Sequence, residues 1–214
     1  MNALVLYGLN CTLNVWDQIK DQLSDLKAEY IAYPHEITQT AKSVEDLSRW
    51  VNQNYNKEKY DVLIGHSMGG IIALQLAVLY NWQCERILLI ETNLRPANAF
   101  YRNLLLESNM EKYGDRVMKM LQNEAPYYTK ELQKQLQEDF DYSRYIHQTT
   151  AKVFGIYGDR GKPDYPQRIT DFCLEEDTAN QMIFSFIPNS CHMPMLENAE
   201  ACASAVKECL CKIE

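Results

Sequence analysis

Six short apolar runs punctuate this chain, and the text between them shifts to helical spacing. The runs fall at 3–7, 29–33, 60–64, 86–90, 152–157 and 182–187. Most are continuous rather than alternating, the pattern of strands buried on both faces. Between them apolar residues recur every three or four positions: Trp16, Ile19, Leu23 and Leu26 first, then Val44, Leu47, Trp50 and Val51, and finally Ala199, Cys202, Val206 and Leu210. That spacing predicts helices with one buried face. Strands and helices in alternation predict an α/β fold, a parallel sheet of about six strands with helices on both faces.

The alternation lapses once, between the fourth and fifth runs. From about Pro96 to Thr150 there is no strand pattern, only helical text such as the seven residues from Phe100 and the stripe Leu132, Leu136 and Phe140. The chain therefore divides into a core, 1–95 and 150–214, and a helical insertion, 96–149. Six of the 14 Tyr lie in the insertion, and between Thr92 and Thr150 eight Lys or Arg balance eight Asp or Glu, so the body carries the whole net charge of -8. Long insertions in compact domains tend to be functional, so the segment is expected to act as a lid over a site.

Composition narrows the partners. A chain of 214 residues can bury one complete core without staples. A pI near 5.1 argues against nucleic acid and against anionic membrane surfaces, which need clustered cations. Seven Cys is an odd number without CxxC spacing, and no basic segment precedes an apolar one at the N-terminus, so reduced thiols in the cytoplasm are expected. The apolar stretch 62–79 has the length of a membrane helix, but Gly65, Gly69 and Gly70 split it, and it reads as strand, tight turn and buried helix. His and Cys never converge at ligand spacing and no GxGxxG occurs, so neither metal nor cofactor is expected.

The chemistry concentrates at Gly65-His66-Ser67-Met68-Gly69, which directly follows the third run and opens a helical stretch from Ile71. GxSxG in this strand-turn-helix setting is a nucleophile elbow. Gly65 and Gly69 are expected because a Cβ at either would collide across the turn. A serine nucleophile needs a base. Of four His, His35 follows the second run, His66 lies inside the elbow and is expected to face away from the reaction side, and His147 ends the insertion. His192 remains, in the loop after the last run, where a parallel sheet presents a base above its C-terminal edge.

These features resemble the α/β-hydrolase superfamily, in its lid-bearing branch of esterases, thioesterases and C–C bond hydrolases. AlaLeuValLeuTyrGlyLeu is similar to the oxyanion strand, Trp16 to its usual aromatic, GlyHisSerMetGlyGly to the elbow, and ProAsnSerCysHisMetProMetLeuGlu to the histidine loop. The resemblance implies that the backbone N–H groups of Met68 and Leu9 form an oxyanion hole, and that the two strands usually preceding the oxyanion strand are missing. It departs from the family twice. Tyr7 stands before Gly8 where the family has His, and Gly161 stands where it has the triad Asp. Asp159 is the nearest replacement acid, Glu91 at the end of the fourth run is the alternative, and Asp164 follows. Cys191 beside the base reads as a buried filler rather than a reactive thiol.

The expected activity is hydrolysis of a small to medium carboxylic ester or thioester through an acyl-enzyme on Ser67, with an apolar group beneath the lid. Size and lid also resemble esterases acting on acyl-carrier-protein methyl esters. An acidic carrier would be met by Arg95, Arg102 and Arg116. A C–C hydrolase or lyase on the same fold, and a non-catalytic binding protein, are the alternatives.

Overall fold

The computed structural model describes residues 1–56 and 59–211. Among them, strands β1 (Asn2–Leu6), β2 (Lys27–Tyr30), β3 (Val62–His66), β4 (Arg86–Ile90), β5 (Lys152–Gly158) and β6 (Met182–Ile187) form a six-stranded sheet in the order β2-β1-β3-β4-β5-β6. Every pairing is parallel. The six-strand α/β expectation is met. Burial separates centre from edge: β3 is buried throughout, whereas β2 alternates exposed and half-buried positions. This edge strand lies two residues earlier than its apolar text suggested, because Ile31 and Tyr33 bury themselves in the loop that follows.

The principal helices are α1 (Val44–Tyr55), α2 (Met68–Leu79), α3 (Asp115–Glu124), α4 (Lys130–Gln135), α5 (Arg144–Gln148) and α6 (Ala199–Cys211). Ser43 and Asp46 start α1 with a reciprocal capping box, the Asp46 N–H donating to Ser43 Oγ at 3.2 Å and the Ser43 N–H to Asp46 Oδ2 at 3.0 Å. The first nine residues of α2 are all buried. A helix apolar on every side belongs in the middle of a fold, which is why the stretch 62–79 looked long enough to span a bilayer. Among the described residues, no helix is long and apolar enough to cross a membrane.

Two helical expectations change. The Trp16 to Leu26 spacing forms 3₁₀ turns, Leu13–Trp16 and Asp21–Leu23, that still bury Val15, Trp16 and Leu23, with Ile19 buried between them. Spacing reported which side faces the core, not the hydrogen-bond pattern. The text from Phe100 gives a single turn, Ala99–Tyr101. Beyond it the backbone is used elsewhere: Leu104 O accepts from the His192 N–H at 3.1 Å, and the Leu106 N–H donates to Glu197 Oε1 at 2.7 Å.

The segment between β4 and β5 contains no strand among the described residues, and it is tied to the sheet's other half. Thr129 Oγ1 donates to Ala41 O at 2.5 Å, and the Val44 N–H donates to Gln135 Oε1 at 3.0 Å. His35 stacks on Tyr127, with ring centres 3.7 Å apart, and meets Glu124 at 3.0 Å.

Candidate active site

The chain runs from β1 outward to β2, then returns to β3 on the other side of β1, so the topological switch point lies between β1 and β3. Ligands of open α/β sheets bind outside the strand carboxyl ends at such a point. Here the loop after β1, with Gly8 and Leu9, meets the turn after β3, with Ser67. A methyl group at Gly8 would come within 2.8 Å of Ser67 Cβ.

Ser67 has φ 52° and ψ -122°, a left-handed backbone that costs on the order of 1–3 kcal/mol in a residue with a Cβ. The surroundings hold it there. The Ser67 N–H donates to Ile90 O at 2.9 Å, and Ser67 O accepts from Thr92 Oγ1 at 3.0 Å. A Cβ on Gly65 would lie 2.3 Å from Gly69 C, across the turn as expected, but one on Gly69 would meet Leu6 O of β1 at 2.4 Å. The second glycine therefore lets the helix approach the neighbouring strand.

His192 is positioned through its backbone. Its N–H donates to Leu104 O, and its carbonyl accepts from His66 Nε2 at 2.9 Å. Glu197 Oε2 accepts from the N–H groups of Cys191 at 2.7 Å and Met193 at 3.4 Å. Burial pushes the Cys191 thiol up to about 12, in keeping with a filler.

The carboxylate that meets His192 is Glu91, not Asp159. Glu91 Oε2 lies 3.4 Å from His192 Nδ1. Asp159 instead shapes its own loop, Oδ1 accepting from the N–H groups of Gly161 at 2.8 Å and Asn189 at 2.7 Å. Asp164 is exposed in the same loop. From the end of β5 the side chain that returns to the site is Arg160, whose Nη1 and Nη2 donate to Glu91 Oε1 and Oε2 at 2.6 and 2.7 Å. The Gly158 N–H also donates to Glu91 Oε1, at 2.5 Å. Glu91 itself adopts φ 48° at the end of β4.

This carboxylate is 1% exposed. Burial pushes its proton affinity up, yet the Arg160 charge and the hydrogen bonds from His192 and Arg160 outweigh it and hold the group below the usual carboxylate range. For Arg160, burial pulls the pKa down, and the charge and hydrogen bonds of Glu91, together with Cys191 and Tyr101, raise it overall. The guanidinium also sits 4.4 Å from the Tyr101 ring centre.

His66 does not face away from the site as the sequence suggested; it lines the same cavity and holds the backbone of His192. Burial first, then repulsion by His192, lowers its pKa to about 3, so the ring is neutral. A carbonyl only accepts, so Nε2 carries the proton, and Nδ1 is left buried without a partner. At the other departure from the family, Tyr7 OH accepts from the Tyr33 N–H at 3.0 Å and Tyr33 OH donates to Tyr7 O at 3.4 Å. Two tyrosines thereby brace the loop after β1.

Ser67, His192, Glu91, Leu9 and Met68 line a cavity of about 460 Å³. Leu121, Leu136 and Phe140 of the β4–β5 segment line it too. The stripe Leu132, Leu136, Phe140 is not one helix: α4 stops at Gln135, Leu132 is fully buried, and the other two reach the cavity from the turn beyond. Sequence reasoning missed Arg160, His66 and Glu197. The clue to Arg160 was a basic residue in a loop where an acid was sought.

A family model, Esterase, described as "Putative esterase", matches residues 39–193. The chain belongs to the Esterase family. The match spans β3 to β6, the elbow and the histidine loop. Solved structures carry the fold over nearly the full length. A thermophilic esterase from Thermogutta terrifontis is 19% identical, TM-score 0.69, over 98% of this chain and 89% of that one. The enol-lactonase from Burkholderia xenovorans is 14% identical, TM-score 0.73, over 99% and 91%. The carboxylesterase CesB from Bacillus subtilis is 14% identical, TM-score 0.67, over 98% and 83%. No curated protein matches in sequence. The fold is that of the α/β-hydrolases, and the activity class of the family is carboxylic ester hydrolysis.

Proposed function

We propose that the chain cleaves a small to medium carboxylic ester or thioester by nucleophilic catalysis, with Ser67 as nucleophile, His192 as general base and Glu91 as the third member. The observation that carries this reading is Glu91 Oε2 at 3.4 Å from His192 Nδ1, which supplies the carboxylate that the loop after β5 lacks. It also counts against the reading as a non-catalytic binding protein, whose support was a missing acid.

His192 takes the Ser67 proton as Oγ attacks the carbonyl carbon. The C=O electron pair moves to oxygen, and the N–H groups of Leu9 and Met68 stabilise that oxyanion, each donor contributing about 3 kcal/mol where such groups have been removed. Imidazolium then protonates the departing alkoxide or thiolate, leaving an acyl ester on Ser67. Water, deprotonated by His192, attacks the acyl carbon, and Ser67 leaves with that proton. Glu91 keeps Nδ1 protonated and offsets the transient imidazolium charge. The 96–149 segment serves as a lid whose Leu121, Leu136 and Phe140 take up an apolar group.

A p-nitrophenyl ester series of increasing acyl length, run on wild type and Ser67→Ala, tests the proposal. Wild type should turn over with a length optimum and Ser67→Ala should fall to background; equal rates in the two proteins would overturn it.

A further inference from the structure

We infer that Arg102 binds an anionic group on the substrate, so that the preferred ester carries a carboxylate or related oxyanion separated by an apolar spacer from the carbonyl that Ser67 attacks. The inference rests on the catalytic reading above and adds the substrate class.

Arg102 lines the same cavity as Ser67 and His192. It follows the Ala99–Tyr101 turn, and its Nε donates to the carbonyl of Ala97, another cavity residue, at 2.9 Å. That bond orients the guanidinium while leaving both Nη groups, which can form a forked contact with an oxyanion. Among the described residues no carboxylate lies within ion-pair distance of Arg102. The other arginines named above differ: Arg95 meets Asp141 and Glu175, Arg116 meets Asp17, and Arg160 meets Glu91.

The rest of the lining sharpens the class. Glu91 is neutralised by Arg160, so Arg102 is the cavity's unmatched permanent charge among the described residues. Leu121, Leu136 and Phe140 offer nothing to a charge and suit methylenes. A body of net charge -8 repels anions at long range, so an anionic substrate needs a local cation such as this one.

The test compares p-nitrophenyl monoesters of dicarboxylic acids, from adipate upward, with neutral methyl-capped esters of equal length. A third arm, with a terminal phosphate, separates carboxylate from phosphate recognition. For wild type, kcat/KM on the better anionic series should exceed that on the neutral series roughly tenfold to a hundredfold at low salt, and the ratio should shrink as salt screens the contact. Arg102→Gln should bring the ratio to about one, and Arg102→Lys should keep part of it. A wild-type ratio at or below one at every length, or an unchanged ratio in Arg102→Gln, would overturn the assignment. If Arg102→Gln does not fold, the wild-type ratio and its salt dependence decide. Ser67-dependent cleavage of neutral esters without anionic preference removes Arg102's role alone, whereas turnover independent of Ser67 removes the catalytic reading.

Discussion

Arg160 donates to both carboxylate oxygens of Glu91, from the loop after β5 to the end of β4. The buried Glu91 carboxylate therefore has two side-chain partners, Arg160 and His192, and each can be removed separately. Glu91→Gln should lower kcat by about 10³ to 10⁴, because the amide no longer favours the protonated Nδ1 or offsets imidazolium. Asp159→Asn should change kcat little, since the Asp159 carboxylate receives loop N–H groups. Steady-state kinetics on both variants checks this; full activity in Glu91→Gln would remove Glu91 from the mechanism.

Arg160→Met strands a carboxylate that is 1% exposed. The expected cost is about 3–5 kcal/mol at neutral pH, read from urea unfolding. The loss should narrow on acidification, because the unpaired Glu91 regains its proton at higher pH than in wild type, and the neutral acid tolerates burial. A variant as stable as wild type at neutral pH would contradict the pairing.

His66 gives stability a signed pH dependence. Its folded pKa of about 3 lies below the ordinary 6.5, so the unfolded chain takes up the proton first. The contribution is complete above pH 6.5 and is lost as pH falls toward 3, at up to about 1.4 kcal/mol per pH unit. His66→Gln should therefore show a shallower acid limb than wild type in an unfolding series from neutral to acidic pH. Parallel limbs would show that His66 does not titrate this way.

Leu136 and Phe140 set the depth available to an acyl chain if the 96–149 segment is a lid. Leu136→Trp should shift the acyl-length optimum toward shorter esters and Leu136→Ala toward longer ones, with little change on acetate. An optimum that does not move would place the acyl group elsewhere.

The sheet was legible because continuous apolar runs and βα alternation report burial, and burial is what a parallel sheet demands. That Ser67 and His192 share one cavity was legible because each follows a strand at the edge where such sheets present chemistry. Which carboxylate meets His192 was not. A carboxylate's partner is set by side chains arriving from different strands, and nothing in Gly158-Asp159-Arg160-Gly161 states that Arg160 turns inward while Asp159 binds loop amides. His66 was misplaced for a related reason: its contact is with the backbone of a residue 126 positions away. The turns around Trp16 and Phe100 were read as helix because periodicity marks a buried side, while the capping and cross-chain bonds that choose the turn lie outside the window.

Fluorophosphonate labelling of the folded wild-type protein, read by peptide mass, bears most directly on Ser67 as the nucleophile. One adduct should form, on the peptide bearing Ser67, and it should vanish in Ser67→Ala and fall sharply in His192→Ala. A folded wild-type protein that stays unlabelled, or that is labelled equally after Ser67→Ala, would contradict it.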